Sequence, residues 1–263
     1  MLDLSHTRIL VTNDDGINAP GLEVMEAIAR SISDDVWVVA PEQEQSGAGH
    51  SLTMHTPLRI REISEKMYAV SGTPTDCVLL AIKSILAKED KPVTLVLSGV
   101  NRGCNVADDV TYSGTIAAAM EGTLLGIPSI AMSQAFTDHQ PVKWETAKQY
   151  AKALVKELSD AGWPNDVLIN VNYPDIEPDN VKGIKFSQQG QREITDNFEE
   201  RIDPKGRPYY WIGGPHLKSN AEPGYDLSDL DAGYITITPL SLDLTDFKVM
   251  EELRRKCSLD DAA

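Results

Sequence analysis

The sequence predicts an α/β protein: a mostly parallel sheet held between two layers of helices. Three observations carry that prediction. Short, uninterrupted apolar runs rich in β-branched residues recur along the chain, as expected of strands buried on both faces. Stretches with helical apolar spacing separate them. The strand-like runs end in Asn, Asp, Ser, Gly or Pro, residues that turn a chain.

Arg8 to Thr12 forms the first run and ends in Asn13-Asp14-Asp15-Gly16. The next segment places Leu22, Met25, Ala29 and Ile32 on one helical face, opened by Ala19-Pro20, where proline suits the first turn. Val36 to Ala40 is a second strand, stopped by Pro41. Asp76 to Leu86 reads as a helix introduced by Gly72-Thr73-Pro74-Thr75, and Val93 to Leu97 as a strand ending in Ser98-Gly99. Thr115 to Leu125 is an alanine-rich helix, and Ile127 to Met132 a strand that tolerates Pro128 among its first residues. Val142 to Leu158 is a longer helix with Ala147, Ala151, Leu154 and Leu158 on one side, followed by a buried-type strand from Val167 to Val171. Alternating strands and helices of this kind build an open, three-layer, Rossmann-like sheet.

The pattern breaks after Tyr173. Residues 188–233 are rich in Gly, Pro, Asp and Asn, carry charged residues such as Arg192, Glu193 and Glu199, and include the aromatic cluster Tyr209-Tyr210-Trp211. This composition predicts a β-hairpin arm. Strand character returns from Gly233 to Leu240, and residues 251–263 read as a short helix with a frayed tail. The expected organisation is one domain over 1–263, with a core at 1–187, an arm at 188–232, and a returning strand and tail at 233–263.

Composition narrows the function classes. The chain has 263 residues, 41% hydrophobic and 24% charged, and a net charge of −16. Such a surface repels nucleic acid and anionic membranes. The longest apolar runs, Val36 to Ala40 and Val93 to Leu97, are too short to span a bilayer. The first residues show no basic segment followed by an apolar core, so no secretory signal is expected. Three scattered cysteines suit neither a disulfide framework nor a zinc site, and a cytoplasmic protein with reduced thiols is the expectation.

Open α/β sheets bind ligands at the carboxyl ends of their strands. Those ends carry Asn13, Asp14, Asp15 and Gly16, then Gln45-Ser46-Gly47, then Ser98 to Asn105. Asp14 and Asp15 are the sharpest feature. Two close carboxylates repel unless a cation lies between them, and hard oxygen ligands select Mg2+, Mn2+ or Ca2+ over zinc. Ser46 and Asn101 would add neutral oxygens. Asp-Asp-Gly is also an ordinary turn composition. Tyr112-Ser113-Gly114-Thr115 precedes a helix and could offer free amides to an anion, or be a plain N-cap. The turn after the first strand lacks the Gly-x-Gly-x-x-Gly of a dinucleotide site, and the chain has no Gly-Lys-Ser/Thr of a P-loop. No second Asp lies two residues beyond Asp14 or Asp15, so attack by a metal-activated water is favoured over an aspartyl nucleophile. His50 could serve as an acid or phosphate donor, or be a loop histidine. Cys104 reads as a packing residue.

Several motifs in order resemble the SurE survival-protein family: Ile9 to Gly16 with Ala19-Pro20-Gly21-Leu22, Val39-Ala40-Pro41, Gln45-Ser46-Gly47, Ser71-Gly72-Thr73-Pro74, Ser98 to Asn105, Tyr112 to Gly122, Tyr210-Trp211-Ile212-Gly213, and Gly233-Tyr234 with Thr238-Pro239-Leu240. The resemblance implies a Rossmann-like core with a C-terminal hairpin arm and a metal-dependent 5′(3′)-nucleotidase acting on nucleoside monophosphates. It implies Asp14, Asp15, Ser46 and Asn101 as ligands of one divalent ion per subunit, Mn2+ or Mg2+. Asn105 and the Ser113-Gly114-Thr115 nest would hold phosphate, with Asn13 and Gly47 beside them. A homodimer or homotetramer built through the C-terminal segment is implied as well. Where the family often has Gly-Thr-Asp, this chain has Gly224-Tyr225-Asp226. The rival readings are a phosphatase acting on short polyphosphate or sugar phosphates, and a non-catalytic nucleotide-binding regulator.

Overall fold

The computed structural model describes residues 4–192, 198–212 and 222–257. Parts of the expected arm (Glu193 and Gly213 among them), His216 and the tail beyond 257 lie outside the described residues.

The first strand, β1 (Arg8–Thr12), is buried along its whole length. Ile9 and Val11 face one apolar cluster and Leu10 the other, as strand alternation requires. Helix α1 (Pro20–Arg30) packs on the first face and leads to β2 (Asp35–Pro41), parallel to β1. The edge hairpin β3 (Ile60–Ser64) and β4 (Met67–Val70) follows, with β4 parallel to β2. Sequence reasoning missed this pair because β3 is exposed throughout and shows no buried run. Helix α2 (Pro74–Leu80) begins with a capping box between Thr73 and Asp76. The helix expected to reach Leu86 instead widens into one π turn at Ala81–Ile85.

The chain then returns to the other side of β1 with β5 (Leu95–Arg102), parallel to it. That strand runs past the expected stop at Ser98-Gly99. A bulge between Ser98 and Asn101, with Gly99 at φ 131°, lets it resume pairing with the next strand at Asn101 and Arg102. Helix α3 (Gly114–Leu124), strand β6 (Ser129–Gln134), helix α4 (Trp144–Ala161) and strand β7 (Val167–Tyr173) complete the parallel part. Pro128 lies just before β6 and not within it, its carbonyl accepting the Val96 N–H at 2.9 Å. Strand β8 (Ile184–Phe186) joins the far edge beside the later β11 (Ile235–Ser241), which runs antiparallel to β7. The sheet order is β3-β4-β2-β1-β5-β6-β7-β11-β8.

The expected hairpin is present as β9 (Phe198–Ile202) and β10 (Pro208–Ile212), a separate two-stranded sheet with Tyr209, Tyr210 and Trp211 exposed. Helix α5 (Asp226–Asp231) returns to the body, where Leu227 and Leu230 pack on Val106. Helix α6 (Phe247–Lys256) has no buried residue and leaves Phe247, Val249 and Leu253 exposed. No helix among the described residues is long and apolar enough to cross a membrane.

After β1 the chain goes first to one side, through β2, and then to the other, through β5. The crevice between the carboxyl ends of β1 and β5 is therefore the switch point where an open α/β sheet accepts ligand.

At the opposite end of β2, Asp35 accepts hydrogen bonds from Arg8 Nε at 2.8 Å and Lys66 Nζ at 3.0 Å. Burial pushes its carboxyl up, but the bonds and charges of Arg8 and Lys66 outweigh it and bring it to about 2. A depressed acid stabilises the fold above its unfolded value of about 3.9 and stops doing so as pH falls through about 2. Asp35→Asn is expected to cost about 1–2 kcal/mol at pH 7. Urea denaturation should show that deficit shrinking between pH 4 and pH 2.

Candidate functional site

The turn after β1 is built by its own side chains. Asn13 is fully buried; its Nδ2 donates to the Gly16 carbonyl at 3.0 Å, and its Oδ1 accepts the Gly16 N–H at 3.3 Å. Gly16 has φ 100°, and a Cβ there would lie 3.3 Å from the Gln43 backbone. The Asp14 carbonyl accepts the Gln45 N–H at 2.8 Å, which brings the loop bearing Ser46 and Gly47 to the end of β1.

Asp14 is only 4% exposed. Its Oδ1 accepts the Thr115 hydroxyl at 2.5 Å across the switch point. Gly114 makes the approach possible, because a Cβ there would lie 2.7 Å from Asp14 Cβ and 3.0 Å from Pro74 Cγ. Burial, with the charge of Asp15 behind it, raises the Asp14 carboxyl to about 6 against the pull of the Thr115 hydrogen bonds. Burial also raises Asp15, although its Oδ2 accepts the Arg102 N–H from the end of β5 at 3.1 Å.

A cavity of about 600 Å³ opens beside Asp14, lined also by Ser46, Gly47, Asn101, Asn105 and Ser113. The Asn101 Nδ2 donates to the Gly103 carbonyl at 2.9 Å, which leaves its Oδ1 as an acceptor. Ser46 Oγ donates to Glu44 at 2.8 Å and keeps its lone pairs. Ser113 caps α3 through Oγ, accepting the Ile116 N–H at 3.1 Å. Asn105 is clamped from behind: Asn172 Oδ1 accepts its N–H at 2.8 Å, Asn170 and Asn172 donate to its carbonyl at 2.8 and 3.1 Å, and its Nδ2 donates to Ser133 at 2.8 Å.

Six of the ten residues singled out from the sequence thus meet at one cavity. The other four are not among its lining residues. Asp15 is tied to β5, and Gly114 gives Asp14 room. Thr115, expected in a phosphate nest, is fully buried and spends its hydroxyl on Asp14. Asn13, expected beside the phosphate, braces the turn instead, because both ends of its amide are used there. His50 sits on Glu121 at 3.1 Å and does not line the cavity. Burial raises the Cys104 thiol, which suits packing and not nucleophilic attack. Phe136, Asp109 and Arg192 line the cavity without any signal in the sequence. Asn170 and Asn172 did have one: two polar residues at alternate positions of a buried strand share a face.

The donor set fits a hard divalent ion. Among the described residues no three His, Cys, Asp or Glu side chains converge, so an ion here would draw on neutral oxygens beside the carboxylates. Two adjacent, desolvated carboxylates with neutral amide and hydroxyl oxygens nearby leave a negative charge that Mg2+ or Mn2+ would balance.

Fold and site together define an open α/β protein with a cavity at its switch point that a buried carboxylate, amides and hydroxyls help to line. The model of the family described as Survival protein SurE matches residues 9–196, and the chain belongs to that family. It is 56% identical to the 5′-nucleotidase SurE of Parvibaculum lavamentivorans over 94% of this chain and 89% of that one. It is 54% identical to the 5′-nucleotidase SurE of Paramagnetospirillum magneticum over 95% and 96% of the two chains. The crystal structure of the SurE protein from Aquifex aeolicus superimposes with a TM-score of 0.81 at 42% identity, covering 94% of this chain and 98% of that one.

The clamp on Asn105 has a measurable weight. Asn172→Ala leaves the buried Asn105 N–H without its acceptor, and a loss of about 1–3 kcal/mol is expected in chemical denaturation.

Proposed function

We propose that this protein hydrolyses nucleoside 5′- and 3′-monophosphates to nucleoside and phosphate, with one Mn2+ or Mg2+ per subunit held by Asp14, Asp15, Ser46 and Asn101. One observation carries the reading: Asp14 is buried at the switch-point cavity, and the hydrogen bond it accepts there comes from a neutral hydroxyl. The names of the relatives at 56% and 54% identity support the nucleotidase activity.

When bound, a divalent ion polarises the phosphoryl group and acidifies water. The chain's own residues do the rest. Thr115 and Gly114 fix Asp14, and the Arg102 N–H fixes one oxygen of Asp15. The other oxygen of Asp15 is left to take the proton of the attacking water. Asn105, Ser113 and the Gly114 N–H at the start of α3 donate to the phosphoryl oxygens as charge builds there. The proton for the leaving oxygen comes from water or from His50, whose Nε2 pairs with Glu121 at 3.1 Å.

The exposed aromatics of β10 and the bare face of α6 suit contacts between copies in a dimer or tetramer. Three free cysteines suit the reducing cytoplasm.

A panel of 5′- and 3′-monophosphates, short polyphosphate and sugar phosphates, assayed with EDTA and with added Mn2+, tests the reading. Chelation should abolish phosphate release and Mn2+ restore it, with nucleotides preferred; no metal-dependent release from any member would refute it. Asp14→Asn should lower kcat at least a thousandfold. Without metal it should melt no lower than wild type, because an uncompensated buried carboxylate is gone. Normal turnover would sink the ligand assignment.

A further inference from the structure

The cavity at Asp14 does not end at the phosphate position. It adjoins a larger cleft of about 970 Å³, and Cys104, Phe136 and Arg192 line both. Phe136, two residues beyond β6, stands where the two meet. The Arg102 guanidinium lies over its ring, with Cζ 4.4 Å from the centroid. Gly103 lies at the edge of the ring, where a Cβ would be 3.7 Å from Phe136 Cε1. The stack is held in place by backbone: the Arg102 N–H donates to Asp15 and the Gly103 N–H to the Gln134 carbonyl at 2.9 Å. Among the described residues the Arg102 guanidinium makes no hydrogen bond or ion pair of its own. Phe136 is half-buried and Arg102 is exposed.

The charge of the second cleft selects what enters it. Its polar wall carries Asp138 and Asp231, with Asp175 already paired with Lys143 and Thr137 at 2.6 Å each, and Arg192 is the single cation among the described residues lining it. Such a wall disfavours a second phosphate and accepts a neutral ring that presents N–H groups. Stacked aromatic and guanidinium planes bind bases of every kind through their π faces.

We propose that the Arg102–Phe136 stack is the platform for the base of the substrate, which lies against it and extends into the second cleft while the phosphate sits at Asp14. The proposal rests on the nucleotidase reading for its substrate class, and it assigns a base-binding element that uses stacking and no base-specific code.

The test compares 5′-AMP with ribose 5-phosphate, which lacks a base, in wild type, Phe136→Leu and Phe136→Trp. The ratio of kcat/KM for the two substrates should fall about tenfold in Phe136→Leu and recover in Phe136→Trp. An unchanged ratio, with both substrates falling together, would mean that Phe136 only supports the loop at Gly103, and would overturn the proposal. Equilibrium dialysis of adenosine separates this outcome from failure of the nucleotidase reading. Wild type that releases no phosphate from any substrate, yet binds adenosine about tenfold more tightly than Phe136→Leu, would refute the hydrolase and keep the platform. Equal adenosine binding by the two proteins would remove the platform.

Discussion

The arrangement of the site depends on one buried carboxylate. Asp14 is placed by the end of β1, at the point where the sheet order reverses, and α3 is drawn against it by a single hydroxyl. The approach is close enough that a methyl group on Gly114 would collide with it. Burying a carboxylate is unfavourable, and its raised pKa is the measure of that cost. The apolar clusters on the two faces of the sheet hold β1 rigidly enough to impose it. The start of α3 offsets part of the cost, because a helix N-terminus carries partial positive charge. The remainder is what the proposed divalent ion would offset.

The same constraint explains why the net charge misleads about the ligand. At −16 the surface repels anions at long range, yet the cavity is a small neighbourhood in which carboxylates, a helix terminus, Arg102 and Arg192 are weighed separately. Screening in physiological salt cuts exposed charges off within about 8 Å. A phosphate that has entered therefore responds to local donors and not to the sum over the surface.

Behind the cavity the sheet is polar where a parallel sheet is ordinarily apolar. Ser133, Asn170 and Asn172 are all buried, on β6 and β7, and they converge on the backbone and amide of Asn105. Each would be costly alone; together they satisfy one another and fix a loop that has no regular structure of its own. A second anchor comes from further along the chain. Asp226, at the start of α5, accepts the N–H groups of Ala107 and Gly190 at 2.9 Å each, which ties the segment preceding the hairpin to the same loop. It is the last residue of Gly224-Tyr225-Asp226, so the tripeptide that departs from the family pattern keeps the carboxylate that does this work.

Local pattern was enough for the parallel core. Uninterrupted β-branched runs and helical spacing located β1, β2, β7, α1, α3 and α4, because burial on both faces writes itself into every position of a strand. The meeting of Asp14, Ser46 and Asn101 at one cavity was also legible, since oxygen-bearing residues at strand ends need only the strand order to be brought together. Exposed or bent elements left weaker marks. The β3–β4 hairpin has no buried run, and β5 continues past Gly99 only because a bulge restores its pairing. What the residues alone did not settle was which side chains face the cavity and which stand behind it. Asn13 and Thr115 carry the right donors but use them on Gly16 and Asp14, while Phe136 and Arg192 reach the cavity from distant segments. Those outcomes depend on distances between residues far apart in the chain, and only the packed sheet sets such distances.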